Sequence, residues 1–303
     1  MDKLKDLLKA AHSRRSFLAG VGVAGATAML VGCGDDSRTT PTTPTNPTPT
    51  PATDADILNF ALNLEYLEAE YYLRATTGQG LSSTDAGSGA GAVTGGAMVT
   101  FPNAVLSQYA FEIAQDELNH VRFLRQALGS AAVSRPAIDL TNSFNGLAMA
   151  AGIGSTFNPF ADSNSFLLGA FVFEDVGVTA YHGAAGLLTD KTNLGAAAGI
   201  MAVEAYHAAE IRTLIYGESV AMSSTALVDT ANKVSTLRGT LGGGNETALS
   251  ATTIVAADSM NAIAFDRTTN QVLHIVYAAG AGVATKGGFF PNGLNGKITA
   301  TTA

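Results

Sequence analysis

Glu117-Leu118-Asn119-His120 and Glu204-Ala205-Tyr206-His207 are two copies of Glu-x-x-His, and each follows a helical stretch with a lone Glu on its apolar stripe, Glu65 and Glu174. Residues three apart share one face of a helix, so each motif aims a carboxylate and an imidazole at one point. Of the four His beyond residue 33, two carry a Glu three positions earlier. Helices that alternate lone Glu with Glu-x-x-His have the ligand order of a carboxylate-bridged dimetal bundle. This order predicts an all-α chain holding two metal ions in its core. Carboxylate and imidazole donors without thiolate suit iron or manganese.

Periodicity supports four long helices. The first reads from 55 to 75, with Asp54 as N-cap and Gly78 past its end; Leu58, Ala61, Leu62, Glu65, Ala69 and Tyr72 share a stripe. Asn59, Asn63, Tyr66, Glu70 and Arg74 form a more polar face, which makes Glu70 a solvent-facing acid. Glu68 lies beside Ile57, Ala61, Leu64 and Tyr71, so the ligand of this helix is Glu65 or Glu68. Glu65 ranks first because Tyr72 lies seven residues on, as Tyr181 does from Glu174, and that recurrence is an internal repeat.

The second helix spans 103–128, closed by Gly129, with Leu106, Ala110, Ile113, Glu117, His120, Val121 and Leu124 inward. The third, 166–188, carries Glu174 and Tyr181 on its stripe, and the fourth, 194–216, carries Glu204 and His207. Glu112 and Asp116 fall off the inner stripe of the second helix and read as solvated, while His182 and His274 read as hydrogen-bonded structural residues. Residues 76–100 read as a long loop, and 130–165, with Pro136 and Pro159, as a long crossover between the second and third helices. Beyond 217 the signals suggest helices at 224–237 and 252–265, and one capped by Thr268 or Thr269 that reaches Ala279. The turn-rich 287–296 segment reads as a packed loop.

The N-terminus belongs to a different kind of sequence. Lys3, Lys5, Lys9, Arg14 and Arg15 precede an apolar run, 17–31, too short to span a bilayer as a mature helix. This is an export signal. Ser13-Arg14-Arg15-Ser16-Phe17-Leu18 resembles the twin-arginine motif, whose machinery carries folded and often cofactor-loaded proteins across the bacterial inner membrane. Leu30-Val31-Gly32-Cys33 resembles a lipobox, in which Cys33, the only cysteine, is acylated and anchors the chain to a membrane. The expected location is periplasmic or cell-envelope. A lone cysteine excludes an intrachain disulfide, so stability comes from packing or metal.

The domain order is therefore a signal with lipobox (1–33), a Pro/Thr-rich spacer (34–53), a four-helix bundle (54–217) and a C-terminal helical extension packed on it (218–303). Residues 1–32 hold five basic and two acidic residues, which leaves 12 basic against 23 acidic residues, a net charge of −11. An acidic domain without a basic cluster argues against nucleic acid as a partner. With 47% hydrophobic and 14% charged residues, the chain can bury a large core.

The four helices resemble the ferritin-like superfamily. Leu58-Asn59-Phe60-Ala61-Leu62-Asn63-Leu64-Glu65-Tyr66-Leu67-Glu68, Asn261–Thr268 and Gly287-Gly288-Phe289-Phe290-Pro291 resemble its desiccation-related and stress-associated branch. The resemblance covers about 55–297 and implies a ferritin-like four-helix bundle with a long crossover and a C-terminal helical extension. It implies Glu65, Glu117, His120, Glu174, Glu204 and His207 as ligands of two iron or manganese ions, with Glu117 and Glu204 as bridges. Tyr72 and Tyr181 would hydrogen-bond the ligands, and Asp116 or Asp175 would orient a ring. The implied partners are a metal ion or a small oxidant, with a second copy of the chain open as a further one. A lipid anchor, a spacer and the long C-terminal segment disfavour a closed storage cage, and no cysteine cluster is present to supply electrons. Two readings stay open: a redox centre acting on peroxide, oxygen or ferrous ion, and a metal-free structural or stress-protective protein.

Overall fold

The structure is a computed structural model that describes residues 51–303. The twin-arginine motif, the apolar run, Cys33 and most of the spacer lie outside the described residues.

Capping side chains set the start of most long helices. α1 (Asp54–Thr77) begins at Thr53, not Asp54: the Thr53 hydroxyl accepts from the Asp56 backbone N–H while the Asp56 carboxylate accepts from Thr53, a reciprocal capping box. Asp54 instead accepts from the Thr189 and Asp190 backbone N–H groups. The helix ends at Gly78, whose φ of 73° places it in the left-handed region where it returns its N–H to the Arg74 carbonyl. A short α2 (Ser83–Ala86) follows, then β1 (Val93–Thr94). α3 (Ala104–Leu128) is capped by Asn103. β2 (Ile138–Asp139) pairs in parallel with β1, so the loop and the crossover lean on each other. α4 (Asn142–Ala150) lies within the crossover, and α5 (Ser163–Ala185) and α6 (Lys191–Ala221) begin at Asp162 and Asp190 caps. α7 (Ala226–Gly242) and α8 (Thr269–Val276), the latter capped by Thr268, make up the C-terminal extension.

α1 packs along α3 and α5 along α6, and α1 against α5 joins the two pairs. The ligand-bearing helices thus surround one core. α5 is buried on every side from Phe166 to Tyr181, because α7, α8 and the 287–294 turns cover the face that the bundle leaves open. Phe289 reaches Phe144 and Phe173, with ring centroids 5.1 and 5.0 Å apart, which ties the last segment to the bundle.

Two further expectations about the elements fail. Glu70 is fully buried, not solvent-facing: Arg74 holds it at 2.8 Å and Arg135 from the crossover pairs with its other oxygen. The polar face of α1 is covered as far as Glu70, with Asn59 bonded to Ala131 and Val133 and Asn63 bonded to Asn295. Residues 252–265 form turns, not a helix. Asp258 takes the backbone N–H groups of Met260, Asn261 and Ile263, and buried Arg212 takes the Thr253 and Ile254 carbonyls, so local side-chain bonds replace the helical ladder.

Candidate metal centre

All six expected ligands converge in the core. Glu65 comes from α1, Glu117 and His120 from α3, Glu174 from α5, and Glu204 and His207 from α6. They form two groups, Glu65/Glu117/His120/Glu204 and Glu117/Glu174/His207, in each of which one donor atom per residue lies within 4.8 Å of the others. His120 Nδ1 stands 3.2 Å from Glu65 Oε2 and 3.5 Å from both Glu117 Oε2 and Glu204 Oε1. His207 Nδ1 stands 2.9 Å from Glu117 Oε1 and 3.7 Å from Glu174 Oε2. Glu117 belongs to both groups, one oxygen toward each imidazole. Glu204 sits in the first group alone, its Oε2 turned to α5, where a Cβ on Gly177 would lie 2.2 Å away.

The atoms aim at common points more than at one another. Glu117 Oε1 and His207 Nδ1 are 2.9 Å apart, yet neither has a hydrogen bond. Both oxygens of Glu117, both of Glu204 and Oε2 of Glu174 are buried without a hydrogen-bond donor. Desolvated carboxylate oxygens without donors are costly, and cations remove that cost. Carboxylates and imidazoles gathered in this way fit the binding of metal ions.

Charges divide unevenly in the protein alone. Burial pushes Glu65 up to about 8 against the pull of His120, aided by the Glu117 and Glu204 charges. Burial also raises Glu174 and Glu204, to which neighbouring carboxylates add. Glu117 goes the other way: burial opposes its charge, but His120 and His207 outweigh burial and hold it below the usual range. Against burial, Asp116, Glu117 and Glu174 push His207 up to about 12, and Glu65, Glu117 and Glu204 raise His120.

Both tyrosines reach the ligands. Tyr72 donates to Glu174 and Tyr181 donates to Glu65, so each serves the partner helix and not its own. Asp116, read from sequence as solvated, accepts from His207 Nε2 at 3.3 Å while keeping part of its surface in water. Asp175 is not the ring-orienting acid; it pairs with Arg212 at 2.9 Å and Arg238 at 2.8 Å. That buried network, continued by Glu246 and Arg267, fastens the 245–267 segment to α5. The sequence signal for it was weak, since Arg212, Arg238 and Arg267 lie 26 and 29 residues apart and the last two fall in the weakly patterned part beyond 217. His182 Nδ1 meets the Phe265 carbonyl and His274 Nδ1 meets the Ala279 carbonyl, structural positions as expected.

Residues 53–217 match the model of the ferritin-like domain. The chain belongs to the ferritin-like family. It is 30% identical over 273 residues, 82% of its own length and 84% of the relative's, to the desiccation-related protein PCC13-62 of Craterostigma plantagineum. It is 28% identical over 269 residues, 81% of its length and 84% of the relative's, to the ferritin-like catalase Nec2 of Nesocodon mauritianus. These matches extend past the ferritin-like domain into the C-terminal extension and place the chain in the desiccation-related branch. No solved structure matches it.

Proposed function

We propose that the protein is an exported ferritin-like dimetal oxidoreductase whose substrate is a peroxide. The observation that carries this reading is the set of donor-free buried oxygens on Glu117, Glu174 and Glu204, facing two imidazoles. Glu65, His120 and Glu204 would hold one ion, Glu174 and His207 the other, and Glu117 would contact both. A bound pair of iron or manganese ions would supply two-electron redox cycling.

Peroxide is favoured over oxygen by electron balance. Reduction of oxygen needs an external donor, and the sequence has one cysteine and no cysteine cluster to relay electrons. Disproportionation oxidises one peroxide to oxygen and reduces a second to two waters, so it needs no other reductant. A catalase among the relatives agrees with this choice. The protein's own part is to hold the ligands and keep bulk water away: Tyr72 and Tyr181 fix Glu174 and Glu65, Asp116 fixes the His207 ring, and all six side chains are buried.

The signal pattern supports a place in the cell envelope for the protein, folded and loaded before twin-arginine export and lipid-anchored at Cys33. Among the described residues no helix is long and apolar enough to cross a membrane, and in this reading attachment falls to the lipid. The test is oxygen evolution by the metal-loaded protein given hydrogen peroxide without reductant. One oxygen per two peroxides, abolished in Glu117→Ala/Glu204→Ala, supports the assignment. A loaded protein that oxidises ferrous ion but leaves peroxide untouched overturns it.

A further inference from the structure

The outer face of α6, on the side of the helix away from Glu204 and His207, is exposed along its length. Gly195, Gly199, Ala202, Tyr206, Gly217 and Val220 recur on it at helical spacing, and each is exposed. Between Thr192 and Ala209 the only acidic or basic side chains are the buried Glu204 and His207, so the exposed face carries no charge for about five turns. In a chain as acidic as this one, a helix that only met water would be expected to show charges there.

The glycines have no use within one copy of the chain. Glycine inside a helix costs about 1 kcal/mol against alanine, yet a Cβ at Gly195, Gly199 or Gly217 would meet nothing within 4 Å among the described residues. Tyr206 stands on the same stripe, two turns beyond Gly199, with 67% of its surface exposed. Beside the glycines, α6, α3 and the start of α1 border a cavity of about 340 Å³ whose walls include Leu58, Phe123, Leu124, Ala196 and Ala197 and hold no charged side chain. Lys191 and Glu210 bracket the uncharged stretch, a cation at one end and an acid at the other.

We propose that this face binds the same face of a second copy of the chain, the two α6 helices antiparallel about a two-fold axis between Met201 and Ala202. The face is self-complementary about that axis, as such a contact requires. Tyr206 of each copy falls opposite the bare turn between Gly195 and Gly199 of the other, at the edge of the apolar cavity. Lys191 of each copy comes within a helical turn of Glu210 of the other, so the ends carry matched charges. A parallel pair would instead set tyrosine on tyrosine and lysine on lysine. A different partner gives no reason for knob and hole, and for cation and acid, to lie at near-equal distances from one point. The 31-residue helix rises about 46 Å, and one such face with the edge of the cavity lies near the small end of specific interfaces, so micromolar dissociation is expected. The inference does not depend on the metal centre.

The experiment follows sedimentation across the micromolar range of the mature chain carrying Cys33→Ser, which removes the acylation site and the only native thiol. A reversible equilibrium between monomer and dimer is expected. Gly199→Glu, whose side chain has room in the monomer, and Tyr206→Ala are each expected to shift that equilibrium to monomer, with unchanged helicity and a melting point no lower than that of the unsubstituted monomer. Oxidation of Ala202→Cys should give a covalent dimer, while Val220→Cys, on the same face but far from the axis, should not. A chain that is monomeric throughout overturns the proposal and leaves the face to a partner of another kind. A dimer that both Gly199→Glu and Tyr206→Ala leave intact, or one cross-linked at Val220→Cys and not at Ala202→Cys, overturns it by placing the contact elsewhere.

Discussion

Tyr72 and Tyr181 lie seven residues beyond Glu65 and Glu174 on the same stripes, so the spacing marks them as neighbours of the candidate site. The partner of each is set by topology: α1 and α5 run antiparallel, which brings Tyr72 to Glu174 and Tyr181 to Glu65. Spacing within one helix carries no information about which helix lies opposite, and the cross-pairing was invisible for that reason. The ligand spacing was legible because both members of each Glu-x-x-His pair sit on one turn. Of the two acids that the resemblance offered for orienting a ring, Asp116 is the one in contact, because an acid on the rim can keep part of its surface in water and still touch a buried ring. Orienting hydrogen bonds of this kind are worth about 10- to 100-fold in metal affinity. Tyr72→Phe and Tyr181→Phe should each keep the fold and both ions while weakening one ion about tenfold in chelator competition; unchanged affinity in both would remove the tyrosines from the centre.

At the scale of elements, α3 shows how far a pattern can be trusted. It is buried along one stripe, Leu106, Ala110, Ile113, Glu117, His120, Val121 and Leu124, as its periodicity predicts. α1 is covered on nearly all sides, and periodicity cannot separate a polar face in water from one whose polar groups are paired under a loop. Glu70 is the clearest consequence: its partner Arg135 lies 65 residues away. Glu70→Ala leaves two guanidinium groups without their acid, and we expect a loss of about 3 kcal/mol in urea unfolding. The capping box at Thr53 is worth less, and Thr53→Ala should cost about 1 kcal/mol. Equal losses would mean that Arg74 and Arg135 find other acceptors. The failed helix at 252–265 belongs to the same lesson, since Asp258 and Arg212 satisfy its backbone from outside any helical period.

For the molecule as a whole, the centre links metal, protons and stability. Glu65 titrates near 8 in the folded metal-free protein, above the ordinary carboxyl value, and His207 near 12, above the ordinary imidazole value. A folded state that binds more protons than the unfolded chain loses stability as pH rises. The metal-free protein should therefore lose stability from about pH 4.5 to 8 through Glu65, and from about 6.5 upward through His207. Ions displace those protons, so the loaded protein should show little of this slope, and metal affinity should climb with pH. Thermal melts of both forms across pH 5 to 9 check it; parallel slopes would contradict the linkage. The most direct test of the dimetal centre is elemental analysis of the purified domain beside Glu117→Ala/Glu204→Ala, both verified as helical by circular dichroism. Two iron or manganese ions per chain are expected in the wild type, and their loss in the double variant. No metal in the wild type after reconstitution, in a protein as helical and stable as before, would contradict it.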